Sequence, residues 1–167
     1  MIINEKLESL TLVNQVLKYN TDVAINNLVI EDQNSEYEGI TFQIDKFTYR
    51  SRLAKITPKK KGYFVVFWKK DMDNKNIPFE YSESPDKLII TIIDGQHQGQ
   101  FIFPKEILRD KGILSYDNKL GKMALRVYPS WVDNLNPNAR KTQLWQLPYF
   151  MVHQEQQITE FVQSLYF

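Results

Sequence analysis

Two apolar segments, YFVVFW (63–68) and LIITII (88–93), constrain the fold of this chain more than any other feature. Neither segment alternates between apolar and polar residues, so covering only one face would leave apolar side chains in water. Both are short and rich in aromatic or β-branched residues, which favours strands over helices. We therefore expect a sheet that is covered on both faces.

The remaining strand signals lie on both sides of these segments. Pro58 and Gly62 mark a turn, so the strands that flank it are expected to pair antiparallel. The Asn- and Asp-rich residues 20–34 are predicted to form a loop, and the polar run 71–87 a surface loop or hairpin connection. The predicted strands are residues 39–44, 47–56, 63–70, 88–93, 100–103 and 122–129.

Helices are predicted at both ends of the chain. Apolar residues from Ile3 to Leu17 recur at three- and four-residue spacing, which predicts a helix over residues 4–19. Asn136 can cap a helix that Pro137 opens and that runs to about residue 147. Further helices are predicted over residues 104–112 and 154–165. We expect an α+β fold in a single domain, residues 1–167, with a central mixed, largely antiparallel sheet flanked by N- and C-terminal helices.

Positive charge is concentrated in one part of a chain whose formal net charge is only +1. Residues 46–70 contain nine Lys and Arg and no Asp or Glu, and period-two alternation puts Arg50 and Arg52 on one strand face. Phosphate oxygens accept such contacts whatever the base sequence, and exposed aromatic rings can stack on bases. The candidate residues for binding nucleic acid or another anion are Arg50, Arg52, Lys55, Lys59, Lys60, Lys61, Lys69, Lys70, Lys122, Arg126, Tyr128 and Trp131.

These candidates have alternative interpretations. The lysine turn at residues 59–61 can be a solvated loop, and Tyr128 and Trp131 can belong to the core. Binding of a small anion such as a nucleotide would require the basic residues to converge in a cleft. Binding of nucleic acid would arrange them as a band along the sheet.

A metal-dependent nuclease needs two or three carboxylates that converge on Mg²⁺. The pattern Asp-x-Lys occurs at residues 73–75 and 117–119, both within polar loops. Asp94 ends a buried strand, but Gln100 stands where a second acid would help. We therefore expect no catalytic residues and no metal site, with a degenerate or unusual nuclease as the alternative.

Other catalytic signals are weak. The chain has no cysteine, which excludes disulfides, thiolate nucleophiles and cysteine-ligated zinc. The two histidines, His97 and His153, lie far apart, and the GxSxG, P-loop and HExxH motifs are absent. We expect no cofactor. The N-terminal MIINEKLESL lacks a signal-peptide pattern and no segment reaches the roughly 18 to 20 apolar residues of a membrane span, so we expect a cytoplasmic protein.

Several spaced blocks together resemble the MepB family. They are RLAKITPKKKGYFVVFWKK (52–70), GQFIFPKEIL (99–108), GKMALRVYP (121–129) and KTQLWQ (141–146), followed by Tyr149 and Phe150. The resemblance covers about residues 50 to 150. It implies a nuclease-type fold, such as a restriction-endonuclease-like arrangement, and supplies no catalytic residues.

The resemblance also groups polar residues that we expect to line one concave surface. Thr142, Gln143 and Gln146 lie on one side of a predicted helix, where they could hydrogen-bond a ligand or instead cap backbone groups in the core. We expect a non-catalytic protein that binds DNA or RNA with little sequence preference. The grouped residues are Arg52, Lys55, Thr57, Lys59, Lys105, Lys122, Arg126, Tyr128, Lys141, Thr142, Gln143 and Gln146.

Overall fold

The structure is a computed structural model that describes residues 7–154 and 160–167. Its helices are α1 (Glu8–Asn20), α2 (Lys105–Asp110), α3 (Pro137–Gln146) and α4 (Glu160–Tyr166). No helix in these two ranges combines the length and the apolar composition needed to cross a membrane. The strands are β1 (Ile25–Ile30), β2 (Ile40–Ile44), β3 (Phe47–Leu53), β4 (Lys55–Ile56), β5 (Tyr63–Val66), β6 (Lys69–Lys70), β7 (Asn76–Ile77), β8 (Lys87–Asp94), β9 (His97–Pro104), β10 (Ala124–Val127) and β11 (Phe150–Val152).

A six-stranded sheet in the order β1-β2-β3-β8-β9-β11 forms the centre of the fold. Its β3–β8 pair is parallel and its other pairs are antiparallel. The predicted α+β class, with a mixed and largely antiparallel sheet and helices at both ends, is confirmed. Parts of the two predicted terminal helices, residues 4–6 and 155–159, lie outside the described residues.

Both faces of this sheet are buried, as the apolar segment 88–93, which lies within β8, predicted. One face packs against α1 and α4, where Val13 and Val162 meet Ile89 and Ile102. The other face packs against a second, three-stranded sheet in the order β10-β5-β4 and against α2. The apolar segment 63–68 supplies β5, the middle strand of this second sheet.

The predicted strand 47–56 is divided between the two sheets. β3 ends at Leu53, and the backbone N–H of Ala54 donates to the carbonyl of Thr91 at 2.9 Å. Only β4 then pairs antiparallel with β5, so the pairing predicted from the turn is confirmed over two residues. The expectation that Lys69 and Lys70 return towards the start of the first strand is wrong, because they pair with Ile77 and Asn76.

Strand β1 lies where the sequence predicted a loop. Asn27 has φ 53° and the register shifts between Asn26 and Val29, which is a bulge in an edge strand. The sequence did not predict this strand because its residues do not alternate between apolar and polar. Four of its six residues, including Val29 and Ile30, are exposed.

The side chain of Arg52 links the two sheets although it is completely buried. Its Nη1 and Nη2 donate to the two carboxylate oxygens of Glu31 at 2.8 and 3.0 Å, and its Nε donates to the carbonyl of Val66 at 3.1 Å. Gly39 allows this arrangement, since a Cβ there would lie 3.1 Å from Nη1 of Arg52. Arg52 therefore connects β3, on which it lies, with Val66 at the end of β5 and with Glu31, the residue that follows β1.

We expect Glu31→Ala to lower the free energy of unfolding by about 3 to 5 kcal/mol, because it leaves a buried guanidinium uncompensated. Glu36→Ala is the matched control, since Glu36 pairs with the half-exposed Lys55 at 3.0 Å. That variant should cost at most about 1 kcal/mol. Urea denaturation measures the free energy of unfolding of both variants. Equal losses in the two would contradict the conclusion that Glu31 compensates a buried charge.

Candidate functional site

The structure places Arg50 and Arg52 on one strand face, as predicted, but turns that face inward. Both guanidinium groups contact Glu31, and the Arg50 guanidinium carbon lies 3.6 Å above the ring centroid of Phe79. Burial lowers the pKa of Arg50 to about 10, opposed by Glu31 and assisted by Arg52. The prediction that these arginines form an accessible phosphate-binding surface is therefore wrong for Arg52, and Arg50 is largely covered.

Four further candidates lie outside any common site. Lys55 pairs with Glu36, and Lys69 pairs with Glu83 at 2.7 Å. Lys70 is exposed, with its Nζ 5.1 Å from the ring centroid of Trp68, and Lys122 is an exposed residue before β10 whose backbone N–H donates to Ile113. The predicted band of basic residues along the sheet is not formed.

Five of the candidate residues for anion binding do meet, in an open cleft of about 590 Å³. The turn 59–61 forms one part of it, residues 126 and 128 a second, and the segment 134–142 a third. The lining includes four cations and no Asp or Glu. We call this site the cationic cleft; its lining residues are Lys59, Lys60, Lys61, Arg126, Tyr128, Asn134, Leu135, Asn136, Asn138, Ala139 and Thr142.

Lys61 and Arg126 make hydrogen bonds that shape the cleft, whereas Lys59 and Lys60 are exposed at its turn. Nζ of Lys61 donates to the carbonyls of Asp133 and Asn134 at 2.9 and 3.0 Å, which ties the turn to the segment before α3. Nη1 of Arg126 donates to Oγ1 of Thr57 and to the carbonyl of Lys61, which fixes its guanidinium in the cleft. Lys59 and Lys60 are exposed and have no ion pair within the described ranges.

The first turn of α3 has few backbone N–H groups that lack a partner. Pro137 has no N–H, and the N–H of Ala139 already donates to Oδ1 of Asn136 at 2.8 Å. Few free backbone donors of the first turn therefore face an anion. Any anion in the cleft must be held chiefly by the cationic side chains.

Gln143 and Gln146 are buried and do not line the cationic cleft, so the ligand-binding interpretation of these residues is wrong. Gln146 accepts from the N–H of Tyr128 at 2.9 Å and donates to the carbonyl of Arg126 at 3.0 Å. Gln143 donates to the carbonyls of Pro129 and Val132 and accepts from Arg140. Both amides cap backbone groups, which was the alternative interpretation, and they fix α3 against the exposed edge of β10.

Of the two aromatic candidates, only Tyr128 reaches the cationic cleft. Its ring packs on Gly62, which has φ +81° and where a Cβ would lie 2.7 Å from two ring atoms. Trp131 packs against the core instead: its indole N–H donates to the hydroxyl of Tyr63 and its ring stacks on His97 at 4.9 Å.

The positions weighed for a nuclease are occupied by structural contacts. Oδ2 of Asp94 accepts from the hydroxyl of Tyr63 at 2.7 Å, and burial together with this bond raises the pKa of Tyr63 to about 12. Gln100 is fully buried and bonds to Tyr166 and Thr91. Within residues 7–154 and 160–167, no three His, Asp or Glu side chains cluster as a metal site would require.

Sequence reasoning missed the Asn-rich wall of the cationic cleft. Asn134, Asn136 and Asn138 line the site, yet the sequence indicated only a loop and a helix cap. The available signal was that asparagine occupies three alternate positions around the predicted start of a helix.

Comparison with known families identifies the chain. The sequence model of the MepB-like family matches residues 31–152. The chain belongs to the MepB-like family. The matched segment contains Glu31, Arg52 and the whole cationic cleft. No curated protein shows significant similarity to the chain.

Two solved structures are similar to this MepB-like chain. The crystal structure of MepB is 42% identical, with a TM-score of 0.77, and the alignment covers 87% of this chain and 97% of that one. A bacterial homing endonuclease, I-Ssp6803I, is 12% identical with a TM-score of 0.45, and the alignment covers 80% of this chain and 82% of that one. This second likeness is weak and concerns the fold alone.

We expect Gln146→Leu to lower the free energy of unfolding by about 2 to 4 kcal/mol, because it leaves the N–H of Tyr128 and the carbonyl of Arg126 without their partner. Leu144→Gln, at a position 55% exposed on the same helix, is the control and should change stability by no more than about 0.5 kcal/mol. Chemical denaturation measures both changes. A loss below about 0.5 kcal/mol for Gln146→Leu would show that the amide does not hold α3.

We expect the stabilising effect of the Tyr63 hydroxyl to disappear at high pH. Its pKa in the folded state is raised to about 12, against about 10 in an unfolded chain, so the folded state retains a proton that the unfolded state loses. Stability from this group is complete below pH 10 and falls as the pH approaches 12. Chemical denaturation measures the free energy of unfolding of the protein and of Tyr63→Phe. The difference between the two should narrow between pH 10 and pH 12, and a difference that stays constant over this range would contradict the expectation.

Proposed function

We propose that the protein binds the phosphate backbone of nucleic acid through the cationic cleft, with little sequence preference and without catalysing a reaction. The observation that carries the proposal is that four cations and no acidic side chain line one open site. Phosphate contacts of this kind are independent of base sequence. The proposal includes a cytoplasmic location.

The contrast with the other basic residues supports this function. Arg52, Lys55 and Lys69 each pair with a glutamate, so their charge is neutralised locally. Lys59 and Lys60 keep their charge beside Arg126, whose guanidinium is already oriented by Thr57. A prearranged guanidinium loses less conformational freedom when it binds a phosphate.

A small anion, such as a nucleotide, is the second candidate ligand. It is favoured because the cations converge in a cleft instead of following a band, and a volume of about 590 Å³ is within the usual range for ligand sites. A thermal-shift measurement with mononucleotides and with oligonucleotides distinguishes the two ligand classes. A mononucleotide that is the ligand would, at 100 times its dissociation constant, stabilise the protein by about 2.7 kcal/mol, whereas a nucleic-acid site would respond more strongly to the oligonucleotide.

We expect binding to DNA or RNA oligonucleotides to weaken with salt, with a log–log slope of about −2 to −3 for phosphate contacts from Lys59, Lys60 and Arg126. Fluorescence anisotropy between 50 and about 200 mM salt measures this slope. Undetectable affinity at low salt, or affinity that barely responds to salt, would refute the proposal.

Paired charge removals locate the site. Lys59→Gln with Lys60→Gln should weaken binding and reduce the slope by about 0.7 to 0.9 for each phosphate that is no longer neutralised. Lys69→Gln with Lys70→Gln removes the same charge from the same basic segment, outside the cationic cleft, and should leave the slope nearly unchanged. Equal effects of the two double variants would mean that the cleft is not the binding site.

A further inference from the structure

We propose that the cationic cleft takes an unpaired nucleotide of a single strand, with the base against the Tyr128 ring and the flanking phosphates at Lys59, Lys60 and Arg126. This inference rests on the proposed function and specifies its substrate as single-stranded nucleic acid. The combination of cations with an aromatic ring in one groove is the arrangement by which proteins hold single strands.

The size of the cleft argues against a duplex as the seated ligand. A volume of about 590 Å³ is that of a site for one small ligand, whereas a duplex would have to insert two paired strands. In a duplex the bases are paired and stacked on their neighbours, so a base of a duplex cannot lie against the Tyr128 ring. The base of an unpaired nucleotide is available to the Tyr128 ring, which lines the cleft together with Arg126 and the lysine turn.

The Tyr128 ring is held in place before any ligand arrives. Its backbone N–H is bonded to Gln146, and its ring lies against Gly62 so closely that any larger residue there would collide with it. A ring fixed in this way can stack on a base without losing side-chain freedom. Stacking is available to every base, which agrees with little sequence preference.

The asparagines give the cleft neutral groups suited to a base or sugar. Asn134, Asn136 and Asn138 line the site beside the cations. Oδ1 of Asn136 is used to cap α3, so its amide NH₂ remains as a donor. A bare inorganic phosphate would use the cations and leave these amides and the tyrosine ring without a role.

The experiment compares four ligands of equal phosphate number: single-stranded DNA, single-stranded RNA, a DNA duplex, and a single strand with abasic sugars. We expect both intact single strands to bind at least ten-fold more tightly than the duplex or the abasic strand. Tyr128→Leu should weaken binding of intact strands by about five- to one-hundred-fold and leave duplex and abasic binding unchanged. Tyr128→Phe keeps the ring and should retain the preference.

Three results would overturn the inference. They are a duplex that binds as tightly as the single strand, an abasic strand that binds as tightly as the intact one, and a mononucleotide that binds as tightly as the oligonucleotide. In the first two cases salt-dependent binding still stands, so the proposed function survives while the single-strand inference fails. Failure of every ligand to bind would refute the proposed function itself. The abasic comparison uses the unaltered protein, so it holds even if Tyr128→Leu does not fold.

Discussion

The buried ion pair between Arg52 and Glu31 is the constraint on which the arrangement of the two sheets depends. A guanidinium with no solvent contact must have its donors satisfied, and here they go to Glu31, to the carbonyl of Val66 and to the carbonyl of Ser51. These partners belong to three different parts of the chain. Because the cost of separating them is high, the second sheet takes a defined position on the first.

That position decides which positive charges remain available. The basic segment, residues 46–70, runs from the main sheet into the second sheet, and four of its nine cationic side chains pair with carboxylates. The lysine turn between β4 and β5 projects beyond these partners and meets Arg126 of the neighbouring strand. The cationic cleft is therefore a consequence of how the segment divides between sheets and cannot be inferred from its total charge.

Side-chain amides complete the site. Gln146 bonds to the backbone at the edge of β10 that faces away from β5, and Gln143 holds the segment that leads into α3. These bonds place the asparagine-rich start of α3 opposite the lysine turn, and Lys61 closes the connection. The helix, the edge strand and the turn thus form one cleft, although the turn is distant from the other two in the sequence.

The sequence by itself determined the fold class, the burial of both faces of the sheet, the cap of α3 and the family resemblance, because apolar runs, periodicity and capping residues act over short distances. It also found six of the cleft residues: three lysines, Arg126, Tyr128 and Thr142. Only the tertiary structure decided that Arg52 is internal, that Gln146 binds backbone and that Trp131 belongs to the core. Each of these outcomes depends on a partner from a distant segment, and a residue's own identity and spacing do not specify which charge or carbonyl the fold brings against it.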